Sequence, residues 1–153
     1  MALTSTSPRA SGSSRLPLKI GVGDLGRIHD HAREAYPEEC AGALVGIDGG
    51  IKVVVDVWQA ENTHQEERSR RFLIEPLEVK RFEEQAEERD MGLLGFYHSH
   101  PDHPAEPSDY DREHAWPGYS YVIASVSKEN VEDVRSWTLR DDRSGYDEEP
   151  IVG

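Results

Sequence analysis

The chain has 153 residues, a formal net charge of −13, 36% hydrophobic and 31% charged residues, which suits one domain with a core of its own under a heavily charged surface. That acidity repels phosphate backbones and excludes nucleic acid as an expected partner, while apolar runs far short of the ~18 residues that span a bilayer exclude a membrane segment. A single cysteine, Cys40, rules out an intramolecular disulfide framework and, with no apolar signal core in the first fifteen residues, points to the cytoplasm.

Residues 1–15 are rich in Ser, Thr and Gly and are expected to form a disordered tail, leaving 16–153 as the domain. Leu16, Leu18, Ile20 and Val22 alternate as in a first strand, and Asp24 is the expected N-cap of a helix carrying Leu25, Ile28, Ala32 and Ala35, which Tyr36-Pro37 ends. Cys40 to Ile47 and Ile51 to Trp58 read as strands joined at Asp48-Gly49-Gly50 in a hairpin. Ala60 to Arg71 reads as a polar loop and Phe72-Leu73-Ile74 as a short strand. Pro76 fits the first turn of a second helix, with Val79, Phe82 and Ala86 inward and Glu83, Glu84, Glu87 and Glu88 on a solvated face. Leu93 to Tyr97 is the next strand, Ser108 to Trp116 a third helix, and Tyr119 to Val126 with Val131 to Leu139 a final antiparallel pair.

The densest chemistry lies in Gly95-Phe96-Tyr97-His98-Ser99-His100-Pro101, followed by Ser108 and Asp111. In an extended segment alternate side chains share a face, so His98 and His100 project together. Pro101 holds His100 extended and marks the end of the strand. Ser108 is a good N-cap, and the helix it opens can present Asp111 to the same point. Two imidazoles and one carboxylate with no obvious fourth ligand is the donor count of a catalytic zinc, which keeps one position for water. A base is then required, and a carboxylate at the head of the glycine-rich strand after Tyr36-Pro37-Glu38-Glu39-Cys40 is the best placed.

Glu39, His98-x-His100-Pro101, Ser108 and Asp111 resemble, with every spacing intact, the JAMM motif of MPN-domain (Mov34/PAD-1-like) zinc metalloproteases. Tyr36-Pro37-Glu38-Glu39-Cys40, the Phe72-Leu73-Ile74-Glu75-Pro76 step and Glu148-Glu149-Pro150-Ile151 are similar to small prokaryotic members, so the resemblance covers about residues 18–151. It implies an α/β fold: one MPN (cytidine-deaminase-like) domain, a curved mixed sheet flanked by helices, with the metal at one sheet edge. It also implies one Zn2+ per chain on His98, His100 and Asp111, with Glu39 as base to a zinc-activated water and Ser108 as oxyanion donor. In that family the glutamate lies three residues before the strand's first glycine, here Gly42, so the resemblance implies Glu39 rather than Glu38. Neighbours in an extended chain face opposite ways, so only one of the two can point at the metal. The implied substrate is a ubiquitin-like, β-grasp sulfur-carrier protein cleaved after its C-terminal Gly-Gly, with the leaving group (cysteine or a lysine-linked target) and the oligomeric state left open.

Two other readings compete. His98-x-His100-x-Asp102-His103 also matches the dinuclear signature of metallo-β-lactamase-like hydrolases, but the chain lacks the downstream histidines and the length of that fold. A catalytically silent MPN scaffold would bind partners without metal, yet such domains lose ligands and this one keeps all of them. Cys40 reads as a small buried hydrophobe, Tyr97 and Trp116 as core packing, and His29, His31, His64, His103 and His114 as exposed or loop residues. The 60–71 loop is a candidate substrate-gripping flap.

Overall fold

The computed structural model describes residues 16–60, 74–128 and 130–153. Its elements run β1 (Leu18–Lys19), α1 (Val22–Ala35), β2 (Ala41–Asp48), β3 (Lys52–Ala60), α2 (Pro76–Glu88) and β4 (Gly92–Pro101), then α3 (Asp109–His114), β5 (Ser120–Val126), β6 (Val131–Leu139), β7 (Tyr146–Glu149) and β8 (Ile151–Val152). The strands form one mixed sheet in the order β7-β6-β5-β4-β2-β3-β1-β8. The expected tail, the 61–71 part of the flap with His64, and Phe72-Leu73 lie outside the described residues.

The β2–β3 hairpin forms as its turn residues dictate: Gly50 takes a positive φ of 105° and its N–H donates to Asp48 Oδ1. The first strand is shorter than expected. Leu18 and Ile20 are buried, but Leu16 and Val22 are exposed, because Gly21 rather than Asp24 caps a helix that already begins at Val22. Asp24 sits in that helix's first turn, where a carboxylate favours the helix dipole, and pairs with Arg27 at 3.2 Å.

The sheet buries both faces. On one, Ile28 and Ala32 of α1 pack with Leu18, Ile20, Leu44, Val57, Tyr97, Val122 and Val126; on the other, Phe82 and Ala86 of α2 pack with Ala43, Val45 and Trp58. Val79 is only half-buried. Fully burying one such large side chain contributes about 1.5–3 kcal/mol, so each helix is fixed by a few contacts.

A register shift decides which face of β4 looks where. Leu44 pairs with Gly95 and Val45 with Leu93, so Leu94 is an extra residue in β4. The bulge resets the alternation. Leu94 and Tyr97 thus both enter the α1-side core, while Phe96, His98 and His100 point the other way. Two glycines allow this crowding. A Cβ on Gly42 would come within 2.3 Å of Trp58 O and the Tyr97 ring, and one on Gly95 within 1.9 Å of Ser120 O.

The C-terminal segment, read in sequence only as a family-like tail, makes two strands. β7 and β8 stand at opposite ends of the strand order yet are separated by Pro150 alone. Residues 146–149 pair with β6, and 151–152 with β1, so one segment ties the two ends of the curved sheet together.

Candidate metal centre and active site

β4 extends past the expected Tyr97 to Pro101, hydrogen-bonded between β2 and β5, with His98 paired to Ala41 and Ile123. The histidines therefore sit near the C-terminal end of a central strand, not at a sheet edge as expected. Their Nε2 atoms approach to 3.1 Å. Asp111 Oδ2 lies 3.3 Å from His98 Nε2 and 3.1 Å from His100 Nε2. Four-coordinate zinc with ligand bonds of ~2.0–2.2 Å needs donors roughly 3.3–3.5 Å apart, so the donor set fits that ion. Two imidazole nitrogens and a carboxylate oxygen facing one point form a donor set that a shared cation would satisfy.

Neighbouring groups aim two of the three ligands. The Pro104 carbonyl can only accept, so the proton of His100 is on Nδ1, donated over 2.8 Å, which leaves the Nε2 lone pair directed at the centre. Asp111 is the third residue of α3, locked by a capping box: its N–H donates to Ser108 Oγ (3.1 Å), and Ser108 N–H donates to Asp111 Oδ2 (2.9 Å). Burial alone would push the Asp111 carboxyl up, but the facing His98 and His100 rings hold it well below the usual carboxylate range. Trp137 Nε1–H donates to Ala105 O (2.9 Å), and Ser125 Oγ–H to His103 O, pinning the loop between the second histidine and α3.

Glu39 immediately precedes Cys40 and β2. Cys40 N–H donates to Ser99 Oγ (2.9 Å) and Ser99 N–H to Cys40 O (3.0 Å), which fixes this strand head against β4. Glu39 is 6% exposed, whereas Glu38 is exposed. Burial pushes the Glu39 carboxyl up to about 8, with His100 opposing and Asp111 adding. Its carboxyl therefore lies near enough to His100 and Asp111 to feel both.

The family model for prokaryotic homologs of the JAB domain matches residues 23–140. The chain is also 38% identical to the desampylase of Haloferax volcanii, across 74% of this chain and 82% of that protein. This chain belongs to the prokaryotic JAB family. A solved protein of Desulfitobacterium hafniense shares 30% identity at a TM-score of 0.75, covering 88% of this chain and 91% of its own. A JAB1/MPN domain protein of Archaeoglobus fulgidus, 20% identical with a TM-score of 0.55 over 89% of this chain and 100% of its own, has the same fold. With its histidine pair and aspartate converging, this JAB domain is a JAMM-type hydrolase.

The metallo-β-lactamase-like reading fails on geometry. Among the described residues the only metal-capable group of three is His98, His100 and Asp111; Asp102 instead accepts from Tyr36 Oη (2.8 Å), and His103 is exposed. No helix among the described residues is long and apolar enough to cross a membrane.

Other expectations divide. Cys40 is a buried hydrophobe and Tyr97 a core residue. Trp116 does not pack the core: it is 48% exposed and walls a largely apolar groove with Phe96, Tyr121, Ile123 and Tyr146, beside His98 and Asp111. His29 and His31 are half-buried rather than exposed, and His31 Nδ1 hydrogen-bonds the Tyr97 hydroxyl at 2.7 Å. Sequence reasoning also missed Pro104, Trp137 and Tyr146. Burial, with the Asp111 carboxylate and Tyr121 adding, pushes the Tyr146 phenol up and keeps it a protonated donor.

Proposed function

We propose that this JAB domain is a zinc-dependent isopeptidase that hydrolyses the bond after the C-terminal Gly-Gly of a ubiquitin-like modifier of the sulfur-carrier class. The observation that carries the reading is a buried carboxylate, Glu39, beside three converging ligand atoms. A relative of similar length that is named a desampylase supports a ubiquitin-like modifier as the substrate. The apolar groove leading to His98 and Asp111 suits an extended peptide tail rather than a folded surface.

Zinc on His98, His100 and Asp111 would supply a Lewis acid and a water acidic enough to ionise near neutral pH. Glu39 accepts the proton that the attacking water loses and passes it to the leaving amine, a task that calls for a pKa near the operating pH. Ser108 Oγ accepts from Asp111 N–H, which leaves its own O–H to donate to the oxygen that becomes negative in the transition state. His100 stays oriented through Pro104, and Asp111 through Ser108, so the ligands need little reorganisation.

The test is cleavage of a ubiquitin-like protein joined through Gly-Gly to a lysine side chain or to cysteine, by the wild type and by Glu39→Gln. The proposal expects release of the modifier with a free Gly-Gly terminus by the wild type and release roughly 10²- to 10⁴-fold slower by the variant. Equal hydrolysis by the two, or none by the zinc-loaded wild type, contradicts it.

A further inference from the structure

Two grooves adjoin beside the centre. The apolar one carries Phe96, Trp116 and Tyr121 beside His98 and Asp111. The second is more polar and runs past Glu106, Ser108, Arg112 and Trp137. Pro107 and Tyr146 line both and so form the divide between them. An isopeptide substrate has chain on each side of its scissile bond, and a chain filling both grooves must cross that divide within reach of Asp111 and Ser108. Pro107 offers no N–H there. Tyr146, the first residue of β7, offers a phenol, and no hydrogen bond among the described residues occupies its hydroxyl. Its ring stands edge-on to Tyr121, 6.4 Å between centroids, and Tyr121 in turn holds Trp116 N–H at 2.8 Å. The ring is thus packed against Tyr121, while its hydroxyl has no hydrogen-bond partner among the described residues.

Resting on the isopeptidase reading, we propose that Tyr146 is a substrate-contacting residue: the chain crosses its ring from the apolar to the polar groove, and its O–H donates to a backbone carbonyl of the scissile segment. No step of the hydrolysis passes a proton through it; the contact orients the bond over the centre. A neutral hydrogen bond of this kind corresponds to a factor of roughly 3–10.

The experiment compares zinc-loaded wild type with Tyr146→Phe, which keeps the ring and removes the hydroxyl, on the Gly-Gly–lysine conjugate. The expected result is a ~3- to 10-fold lower kcat/KM with zinc content and melting temperature unchanged. An unchanged kcat/KM overturns the assignment, and so does a loss of zinc, which would place Tyr146 in metal retention instead. A second measurement separates this inference from the reading beneath it. In the Glu39→Gln background, the Kd of the intact conjugate should weaken by the same factor on adding Tyr146→Phe, even if the wild type proves to hydrolyse a different bond. An equal Kd overturns the Tyr146 contact, and no binding to either variant overturns both proposals.

Discussion

The two faces of β4 are almost equally buried, and they do opposite things. On the α1 side Tyr97 and Ser99 are 1% and 0% exposed; on the other side His98 and His100 are each 8% exposed. The Tyr97 hydroxyl has His31, and Ser99 has Cys40, so that face is satisfied within the protein. The opposite face holds two ring nitrogens and a carboxylate oxygen turned toward one another at 3.1–3.3 Å. Burial therefore does not mark the functional face. The mark is polar atoms that the fold aims at one point without neutralising them, since buried polar groups elsewhere find partners at home.

Substitutions on each face sharpen or break that contrast. On the open face, Glu39→Gln should lower kcat by about 10²- to 10⁴-fold, the range for a lost general base, with zinc retained, while Glu38→Gln stays near the wild-type rate. Steady-state kinetics with metal analysis reads both, and equal rates for the two variants would break the register. Ser108→Ala should cost ~100- to 1000-fold in kcat as a lost oxyanion donor, and about 1 kcal/mol of stability as a lost helix cap. If denaturant melts show the stability loss but the rate holds, Ser108 is only a cap.

On the closed face the effects move to stability. Gly42→Ala forces a Cβ against Trp58 O and the Tyr97 ring, and overpacking of this kind costs about 1–3 kcal/mol in urea unfolding. Tyr97→Phe, which removes the hydrogen bond to His31, should cost ~1 kcal/mol and leave zinc content and kcat intact. A large loss of zinc in Tyr97→Phe would show that the faces are not independent.

A pH series separates them further. The Glu39 carboxyl is pushed up to about 8 from an ordinary 4.5, so the metal-free folded state holds a proton that the unfolded chain releases. This group's contribution is therefore fully present below pH 4.5 and is lost as pH rises toward 8. Thermal melts of the metal-free protein should show that decline, and Glu39→Gln should flatten it. An identical pH dependence in the variant would contradict the buried-acid assignment.

How much of this was legible in the sequence depended on whether the signal was local. His98, His100, Ser108 and Asp111 announce themselves because a strand period of two and a capping box are short-range geometry. Glu39 was chosen over Glu38 by the family's spacing to Gly42, since alternation says only that one of the two can face the metal, and its burial agrees. The Leu94 bulge could not be read, because it depends on how β2 registers against β4. Tyr146 and Trp137 reach the groove beside the centre from β7 and β6, far from the motif in sequence. Their placement follows from strand order, and no spacing encodes it. Trp116 was misjudged for a related reason: an aromatic read as the last residue of a helix looks like core until the helix proves to end at His114 and leaves it on the groove wall. The short β1 was over-read because alternation in residues 16–22 continued past Gly21, where capping wins.

The central claim is that one zinc ion, held by His98, His100 and Asp111, is required for hydrolysis at this site. The most direct measurement is the rate of cleavage of the Gly-Gly–lysine conjugate by chelator-stripped protein as zinc is added back. The account predicts no activity without metal and a rise that breaks sharply at one equivalent per chain. Full activity in the stripped protein, or a rise that continues well past one equivalent, would contradict it.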